Sequence, residues 1–508
     1  MKRISRFISI ILWLELISAC ALPPELAEDV TQITSIPQPA FTQTISTATA
    51  TMEPAVPIPQ STGDEFNPII TSRVQPDSPT TYILNVLFDE HTKQLEVYET
   101  IDYLNQTGVV LERLPLEVPP NSAEGQFELH TLGVGENVGE NVGENDEVGA
   151  YTLEGGHLSL DLPVPLEPDE RVTVQLQYVL HLMEQPGVLG YTWRQVNVCN
   201  WYAFVPPYQP GSGWMVNDYH SIGEYLVYDT ADFDVGIRLK QANPDLIVVG
   251  SVPGQRSDTG WQFHADGVRT FVWTASEEYE ILTLEEYPDI TAYVFPCDME
   301  AGWAALTEAA SARDLYSEVY GEPTQDHVFL IEADFYDGME YDGLFFLGYD
   351  YFERYGGDEK DYLTAIAVHE MAHQWWFAAV GNDAANEPWL DESLATYSEL
   401  VFYEAAYPED GEWWWDYRVE WFQPHGCVDS TIYQYETTRP YINAVYLRGV
   451  KMIDAIRELM GDEAFFAFLR AYYQAGTGQI MTGEDFFSIA VEHTDADIER
   501  ILWRYFER

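Results

Sequence analysis

The apolar residues of this chain recur with two different periods, and the change between them divides the sequence. Over residues 82–298 apolar and polar residues alternate, most regularly at 172–178 and 233–239. A period of two is typical of half-buried β-strands. Turn sequences such as Asn-Pro-Asp at 243–245 separate the alternating segments. The pattern therefore predicts an N-terminal antiparallel β-sandwich domain over residues 82–298.

After about Glu300 the apolar residues recur three and four positions apart, which is the period of an amphipathic helix. The helices that this period predicts cover residues 303–319, 362–380 and 450–473. Thr482 and Asp485 have the spacing of a capping box at the start of a last helix. The chain is thus expected to be of the α+β class, with a mainly α second domain at 299–508.

Two segments have a low-complexity composition. Residues 21–81 are rich in Thr, Ser, Pro and Gln and show no apolar period, which predicts a disordered tether. The tetrapeptide Val-Gly-Glu-Asn occurs three times between Val134 and Asn145. We interpret these repeats as a solvated insert in a surface hairpin.

The N-terminus resembles an export signal. A basic head containing Lys2 and Arg3 precedes a short apolar run, and Cys20 follows Ile-Ser-Ala, as in a bacterial lipobox. Residues 1–20 are therefore predicted to be a lipoprotein signal peptide, with Cys20 lipidated and the protein anchored to a membrane in the cell envelope. The alternative is an ordinary secretory signal, which would make the protein secreted.

Three further cysteines, Cys199, Cys297 and Cys427, permit at most one intramolecular disulfide. They form no cluster of the kind that binds metal.

Charge excludes one class of partner. Asp and Glu number 84 against 24 Lys and Arg, so the formal net charge is −60. Such a field repels phosphate backbones, and nucleic acid is not expected as a partner. It also favours cationic ligands, from which a preference for Lys or Arg side chains in a substrate is a hypothesis. Simple solubility is the alternative explanation of the charge.

An H-E-x-x-H sequence from His369 to His373 carries the candidate chemistry. On a helix, a spacing of four places both imidazoles on one face, where they can bind zinc, and Glu370 can act as general base on a metal-activated water. Eighteen residues separate His373 from Glu392, which can supply a carboxylate ligand. Two His and one Glu leave a coordination position open, as in catalytic zinc sites.

Glu399 lies seven residues after Glu392, about two turns along the same helix face. It can accept the second ring N–H of a ligating histidine. An ordinary carboxylate without a role at the metal is an equally good interpretation.

These motifs resemble the aminopeptidase N family of gluzincins. That family combines H-E-x-x-H, eighteen residues and Glu, and it continues as His-Gln-Trp-Trp, matched here by residues 373–376. Residues 389–395 (Trp-Leu-Asp-Glu-Ser-Leu-Ala) resemble the segment with the third ligand, and the family usually has Glu at the position of Glu399. The resemblance implies one Zn²⁺ per chain, peptide substrates and a thermolysin-like catalytic domain.

The resemblance also assigns substrate-binding residues. The family's Gly-x-Met-Glu-Asn motif, whose Glu binds the substrate α-amine, is similar to Asp337-Gly338-Met339-Glu340-Tyr341. Gly338, Met339 and Glu340 would therefore bind substrate. Asp337 and Tyr341 depart from the motif.

The family's oxyanion-stabilising Tyr is matched by Tyr446, which precedes an Arg448-Gly449 pair where the family has Lys-Gly. The family's C-terminal helical domain is not expected here, because barely sixty residues follow Tyr446. The active-site cleft is therefore expected to be more open.

The function implied by the resemblance is that of a zinc-dependent aminopeptidase. One alternative is an endopeptidase or oligopeptidase on the same scaffold, because the Glu340 motif is altered. The other is a surface lipoprotein that binds peptides without cleaving them.

Overall fold

The computed structural model describes residues 78–135 and 150–507. The predicted signal peptide with Cys20, nearly all of the tether and all but the start of the Val-Gly-Glu-Asn repeats lie outside these residues. Apart from Thr437–Arg439, the described residues belong to one unit. No helix among them combines the length and the apolar character that crossing a bilayer requires.

The N-terminal part of the described chain is built from strands. They are β1 (Thr80–Asp89), β2 (Gln94–Leu104), β3 (Leu111–Glu117), β4 (Phe127–Val134), β5 (Tyr151–Glu154), β6 (His157–Leu166), β7 (Arg171–His181), β8 (Leu189–Tyr191), β9 (Val196–Val198), β10 (Tyr208–Gln209), β11 (Gly213–Trp214), β12 (Ala231–Leu239), β13 (Ile247–Gly250), β14 (Gln255–Ser257), β15 (Gly260–Val268), β16 (Trp273–Ser276), β17 (Glu280–Leu284) and β18 (Tyr287–Val294). A 3₁₀ turn at Pro119–Ser122 follows β3.

The predicted strand pattern is confirmed in β7 and β12. In β7, Val174, Leu176 and Tyr178 are buried, and the residues between them are partly exposed. Their buried side chains belong to a core that the seven-stranded sheet (order β14-β15-β12-β1-β2-β7-β4) shares with a three-stranded sheet (β3-β6-β5) and a four-stranded sheet (β13-β16-β9-β8). Burial of one face explains the period of two.

The prediction of a purely antiparallel domain is wrong in one place. β1 pairs with β2 as an antiparallel neighbour, but it pairs with β12 in parallel, with Thr81 opposite Asp232 and Phe88 opposite Leu239. About 140 residues separate β1 from β12. Parallel strands need a long crossover rather than a hairpin, and alternation within a strand does not report the direction of its neighbour.

The five-stranded sheet (order β17-β18-β19-β21-β20) crosses the predicted domain boundary at residue 298. It joins β17 and β18 to three strands of the second half: β19 (Val328–Ala333), β20 (Gly338–Tyr341) and β21 (Leu344–Gly348). β19 lies parallel to both β18 and β21, whereas β20 pairs antiparallel with β21 at the edge of the sheet. This edge strand carries the Gly338-Met339-Glu340 sequence.

The C-terminal part of the described chain is mainly helical. The helices are α1 (Met299–Tyr320), α2 (Tyr349–Arg354), α3 (Tyr362–Ala372), α4 (Trp389–Ala406), α5 (Gly411–Trp414), α6 (Thr438–Ile442), α7 (Arg448–Met460), α8 (Asp462–Gly476), α9 (Gly483–Glu492) and α10 (Glu499–Tyr505). Two π-helical segments, Trp415–Val419 and Asn443–Leu447, and 3₁₀ turns at Glu420–Phe422 and Ile432–Gln434 interrupt them.

Two predicted helices differ from the observed ones. The helix predicted at 362–380 ends at Ala372, because the chain then turns so that His373 Nδ1 bonds to Trp376 O. The helix predicted at 450–473 divides into α7 and α8 at Gly461, whose φ of +79° favours glycine. The capping box of Thr482 and Asp485 is confirmed at the start of α9.

The cysteines do not form a disulfide in the part of the chain that the structure covers. Cys199 is buried, Cys297 is exposed and Cys427 is half-buried, and each is a free thiol.

Candidate metal centre and catalytic site

Three donor atoms from two neighbouring helices converge at a buried point. His369 lies in the last turn of α3, His373 directly follows that helix, and Glu392 lies in the first turn of α4. His369 Nε2 and His373 Nε2 are 3.2 Å apart. Glu392 Oε2 is 3.4 Å from the first nitrogen and 3.6 Å from the second. The three predicted ligands are thus brought together.

This donor set fits a tetrahedral metal ion. Ligand atoms about 2.1 Å from a tetrahedrally coordinated zinc ion are about 3.4 Å from one another, as these three are. Glu392 Oε2 is buried without a hydrogen-bond partner among the described residues. A buried carboxylate oxygen that lacks a partner is costly unless a cation binds it.

The second ring nitrogen of each imidazole, Nδ1, makes a hydrogen bond within the protein. His369 Nδ1 is 2.9 Å from Glu399 Oε1, and His373 Nδ1 is 2.9 Å from the carbonyl oxygen of Trp376. Because both partners accept hydrogen bonds, each ring carries its proton on Nδ1 and presents Nε2 to the metal. Glu399 therefore lies beside a candidate ligand, as the first of its two interpretations expects.

Glu399 is itself held by two residues that the sequence analysis missed. Arg418 donates from Nε to Oε2 and from a terminal nitrogen to Oε1, each at 2.9 Å. Trp414 Nε1 donates to Oε2 at 3.0 Å. Although burial alone would raise the pKa of Glu399, Arg418 and His369 lower it. The carboxylate is fully buried and ionised.

Glu370 lies beside the metal ligands and against the edge strand. It is 5% exposed, and its Oε2 has no hydrogen-bond partner in the described part of the chain. Burial raises the pKa of Glu370 to about 8, although His369 and His373 oppose that rise. Gly338 makes room for this side chain, since a Cβ at Gly338 would overlap Glu370 Oε1. Gly338 is thus placed next to the candidate general base.

Glu340 forms a second acidic position across the same site. It is buried on β20, and its Oε1 is 3.9 Å from His373 Nδ1. This oxygen has no hydrogen-bond partner among the described residues. Burial raises the pKa of Glu340 to about 8. Met339, the preceding predicted residue, is half-buried on the same edge strand.

Glu224 is a further acidic residue that the sequence analysis missed. It lies in the segment between β11 and β12, close enough to Glu340 for the two carboxyl groups to interact. Burial, followed by the charges of Glu340 and Glu392, raises the pKa of Glu224 well above its usual value. A cation bound beside both carboxyl groups would relieve their mutual repulsion. No motif surrounds Glu224, so only the fold identifies it.

Tyr446 reaches the site from the π-helical segment before α7. Its ring stacks on that of His369 at a centroid distance of 6.0 Å, and its hydroxyl donates to Glu392 Oε1. Gly449 lets α7 lie against α4, because a Cβ there would overlap Ser393 Oγ, and Ser393 in turn donates to the carbonyl of Val445. The Tyr-x-x-Gly spacing thus has a packing reason.

Comparison with known proteins identifies the helical half of the chain. Residues 309–505 match the peptidase family M1 domain. Aminopeptidase O of Homo sapiens is 24% identical over 155 residues, which are 25% of this chain and 19% of that protein. Aminopeptidase N of Lactobacillus helveticus is 28% identical over 159 residues, 28% of this chain and 18% of that protein. The matched segments thus span about a fifth of these curated relatives.

The solved structures extend the similarity to the β-rich half. A structure of an M1 zinc metallopeptidase from Deinococcus radiodurans covers 84% of this chain and 93% of its own, at 17% identity and a TM-score of 0.58. A mutant of that enzyme with a bound Tyr-Ser-Ala substrate gives 16% identity and a TM-score of 0.56 over the same shares. At this identity the likeness shows the fold: a β-rich N-terminal region followed by a helical one. Residues 309–505, which carry the motifs described above, are thus similar to the peptidase family M1 domain and overlap the region that resembles aminopeptidases O and N.

Proposed function

We propose that this chain is a zinc-dependent aminopeptidase that removes residues from the N-termini of peptides. The observation that carries the proposal is the convergence of the His369, His373 and Glu392 donor atoms beside the buried carboxyl groups of Glu370 and Glu340. The match of residues 309–505 to the peptidase family M1 domain and the zinc named for the similar solved structures support zinc as the ion. A thermolysin-like arrangement of the catalytic domain remains a prediction.

When bound, zinc supplies a Lewis acid that polarises a peptide carbonyl and acidifies water. Glu370 takes the proton of the attacking water and returns it to the leaving amine, a role suited to a carboxyl group whose pKa is near 8. Tyr446 donates a hydrogen bond to the carbonyl oxygen as negative charge develops there. Its position on the ring of His369 supports this role.

Glu340 and Glu224 are proposed to bind the α-ammonium group of the substrate. Two neighbouring carboxyl groups repel each other when both are ionised, and a cation placed beside them relieves this repulsion. An acetylated N-terminus carries no positive charge, so it would leave the repulsion between Glu340 and Glu224 in place. The same pair therefore favours cleavage from a free N-terminus over internal cleavage.

Matched fluorogenic peptides, one with a free and one with an acetylated N-terminus, test the proposal on the purified full-length chain. We expect cleavage of the free peptide alone, loss of cleavage with a zinc chelator and recovery on adding zinc. Glu370→Gln should lower kcat by about 10²- to 10⁴-fold and still bind one zinc ion. Cleavage of both peptides would favour the endopeptidase alternative. Cleavage of neither by zinc-loaded protein would favour a peptide-binding lipoprotein.

The proposed location is the cell envelope, with the protein anchored through Cys20. The support is the sequence alone, since Ile-Ser-Ala precedes that cysteine. Labelled palmitate should enter the wild-type protein in a bacterial host and should not enter Cys20→Ser. Equal labelling of both would leave the secretory alternative.

A further inference from the structure

Asp337 stands where the family motif has glycine, directly before edge strand β20. Its backbone φ is +76°, in the left-handed region that glycine, asparagine and aspartate occupy most readily. The residue is exposed. Asp337 therefore adopts a backbone conformation that glycine also favours, and it adds a carboxylate beside the site.

The carboxylate is held in place by its neighbours. Its Oδ1 accepts a hydrogen bond from the Tyr351 hydroxyl at 2.9 Å and one from the Gly338 amide at 3.1 Å. The negative charge of Asp337 raises the pKa of Glu370, because it disfavours a second negative charge nearby. Arg354 pairs with Asp350, at 3.5 Å, rather than with Asp337.

A second carboxyl group adds to the negative charge around Asp337. Asp350 is 7% exposed, and its Oδ1 has no hydrogen-bond partner among the described residues. Burial raises the pKa of Asp350 to about 6, Arg354 opposes the rise and Asp337 adds to it. The two carboxyl groups are thus close enough to interact.

The order of residues along β20 fixes which part of a substrate meets Asp337. β20 is the last strand of its sheet, and the free edge of a sheet can bind an extended peptide as an added strand. Glu340 lies at the end proposed for the substrate amine, and Gly338 lies against Glu370, where the scissile bond must be. Asp337 directly precedes Gly338, so the chain reaches it by continuing beyond Gly338 in the direction away from Glu340. A peptide with its amine at Glu340 therefore passes Asp337 after the scissile bond.

We propose that Asp337 selects peptides that carry Arg or Lys within the first two residues after the scissile bond. The inference rests on the proposed aminopeptidase function and names its substrate class. It differs from the preference that the net charge suggested, which concerned no particular position. It places the selection on the leaving part of the peptide, through one carboxylate.

The test compares arginine with citrulline, its uncharged analogue, in Ala-Arg-Ala, Ala-Cit-Ala, Ala-Ala-Arg and Ala-Ala-Cit at low salt. Wild-type kcat/KM should favour arginine over citrulline by about two- to five-fold at one of the two positions, as a solvent-exposed ion pair can supply. Asp337→Asn should abolish that preference and leave citrulline peptides within about two-fold of the wild type. Asparagine tolerates positive φ and keeps an acceptor for Tyr351, so the variant isolates the charge.

Glu154→Gln is the matched control, because it removes one exposed carboxylate from β5 and leaves the site intact. It should retain the full preference for arginine. Three outcomes would overturn this inference and leave the proposed function intact. The wild type could cleave the peptides without preferring arginine, the preference could survive Asp337→Asn, or it could fall equally in Glu154→Gln. Absence of turnover of all four peptides by zinc-loaded wild type would overturn the proposed function together with it.

Discussion

At the scale of single residues, the site depends on how its buried charges are paired. Glu399 is buried completely, and its oxygens accept from His369, Trp414 and Arg418. A buried carboxylate with this set of donors stays ionised and in one orientation, so it fixes the ring of His369. Arg418 therefore acts on the metal centre through two other side chains.

Arg418→Met should weaken zinc binding by about 10- to 100-fold, the range found when residues behind metal ligands are changed. The reason is that Glu399 would lose two of its hydrogen bonds and its compensating charge. Zinc affinity would be measured by competition with a chromophoric chelator, independently of activity.

Two further variants separate this role from a general loss of stability. Arg418→Lys keeps the charge but not the two-pronged geometry, so its zinc affinity should be intermediate. Arg354→Met removes an arginine whose ion pair with Asp350 is partly exposed, and it should bind zinc as the wild type does. Wild-type zinc affinity in Arg418→Met would show that Glu399 orients His369 without Arg418.

At the scale of elements, irregular helical segments place two side chains at the metal site that regular α-helices would point in other directions. Arg418 lies in the π-helical segment Trp415–Val419 and Tyr446 in Asn443–Leu447. A π-helical turn inserts an extra residue and rotates the following side chains around the axis. Both segments face α4, which carries Glu392 and Glu399, so two local irregularities complete one site.

The loop after His373 is fixed by a buried arginine on the β-rich side. Arg269 donates to the carbonyls of Phe377, Ala378 and Ala379, and also to those of Tyr228 and Gln479, at 2.7–3.1 Å. It is 2% exposed. One guanidinium group thus joins three separate segments, and the loop that it holds begins just after the carbonyl that orients His373.

Arg269→Lys should lower the free energy of unfolding by about 3 kcal/mol, because an ammonium group cannot reach all three segments and buried carbonyls would lose their donors. Urea denaturation of the full-length chain measures this change. Arg256→Lys is the control, since Arg256 bonds to the Pro244 carbonyl at the surface and its replacement should cost less than about 0.5 kcal/mol. Equal, small losses in both variants would contradict the proposed anchoring.

The sequence predicted those parts of this arrangement that depend on local period and spacing. The start of α3, the helix after Pro388 and the cap at Thr482 follow from rules that span a few residues. His369, His373 and Glu392 were found because four- and nineteen-residue offsets form a motif. Local rules also explain why α3 was predicted too long: the residues after Ala372 are apolar, but they are buried in a turn rather than in a helix.

Long-range partners could not be predicted in this way. Arg269 lies more than a hundred residues from the loop that it binds, and Glu224 lies 116 residues before Glu340 with no motif around it. The parallel pairing of β1 with β12 and the sheet that crosses residue 298 are likewise decided by packing between distant segments. Periodicity reports which side of an element is buried, but not against what.

At the scale of the whole molecule, repulsion among the excess carboxylates destabilises the folded state. The formal net charge of the chain is −60, and the mutual repulsion of like charges favours expansion of the folded state. Screening shortens the range of that repulsion, since the Debye length falls from about 30 Å at 0.01 M salt to about 10 Å at 0.1 M. Added salt should therefore stabilise this protein more than it weakens its few surface ion pairs.

We expect the Tm of the zinc-loaded chain to rise by a few degrees between 0.01 and 0.3 M NaCl. Scanning calorimetry at constant pH and zinc concentration measures the change, and KCl should give the same curve because screening depends on ionic strength alone. Trehalose at matched osmolality controls for general exclusion effects and should give no comparable step at low concentration. A Tm that falls with salt would mean that ion pairs such as Arg457 with Glu404 stabilise the fold more than the net repulsion destabilises it.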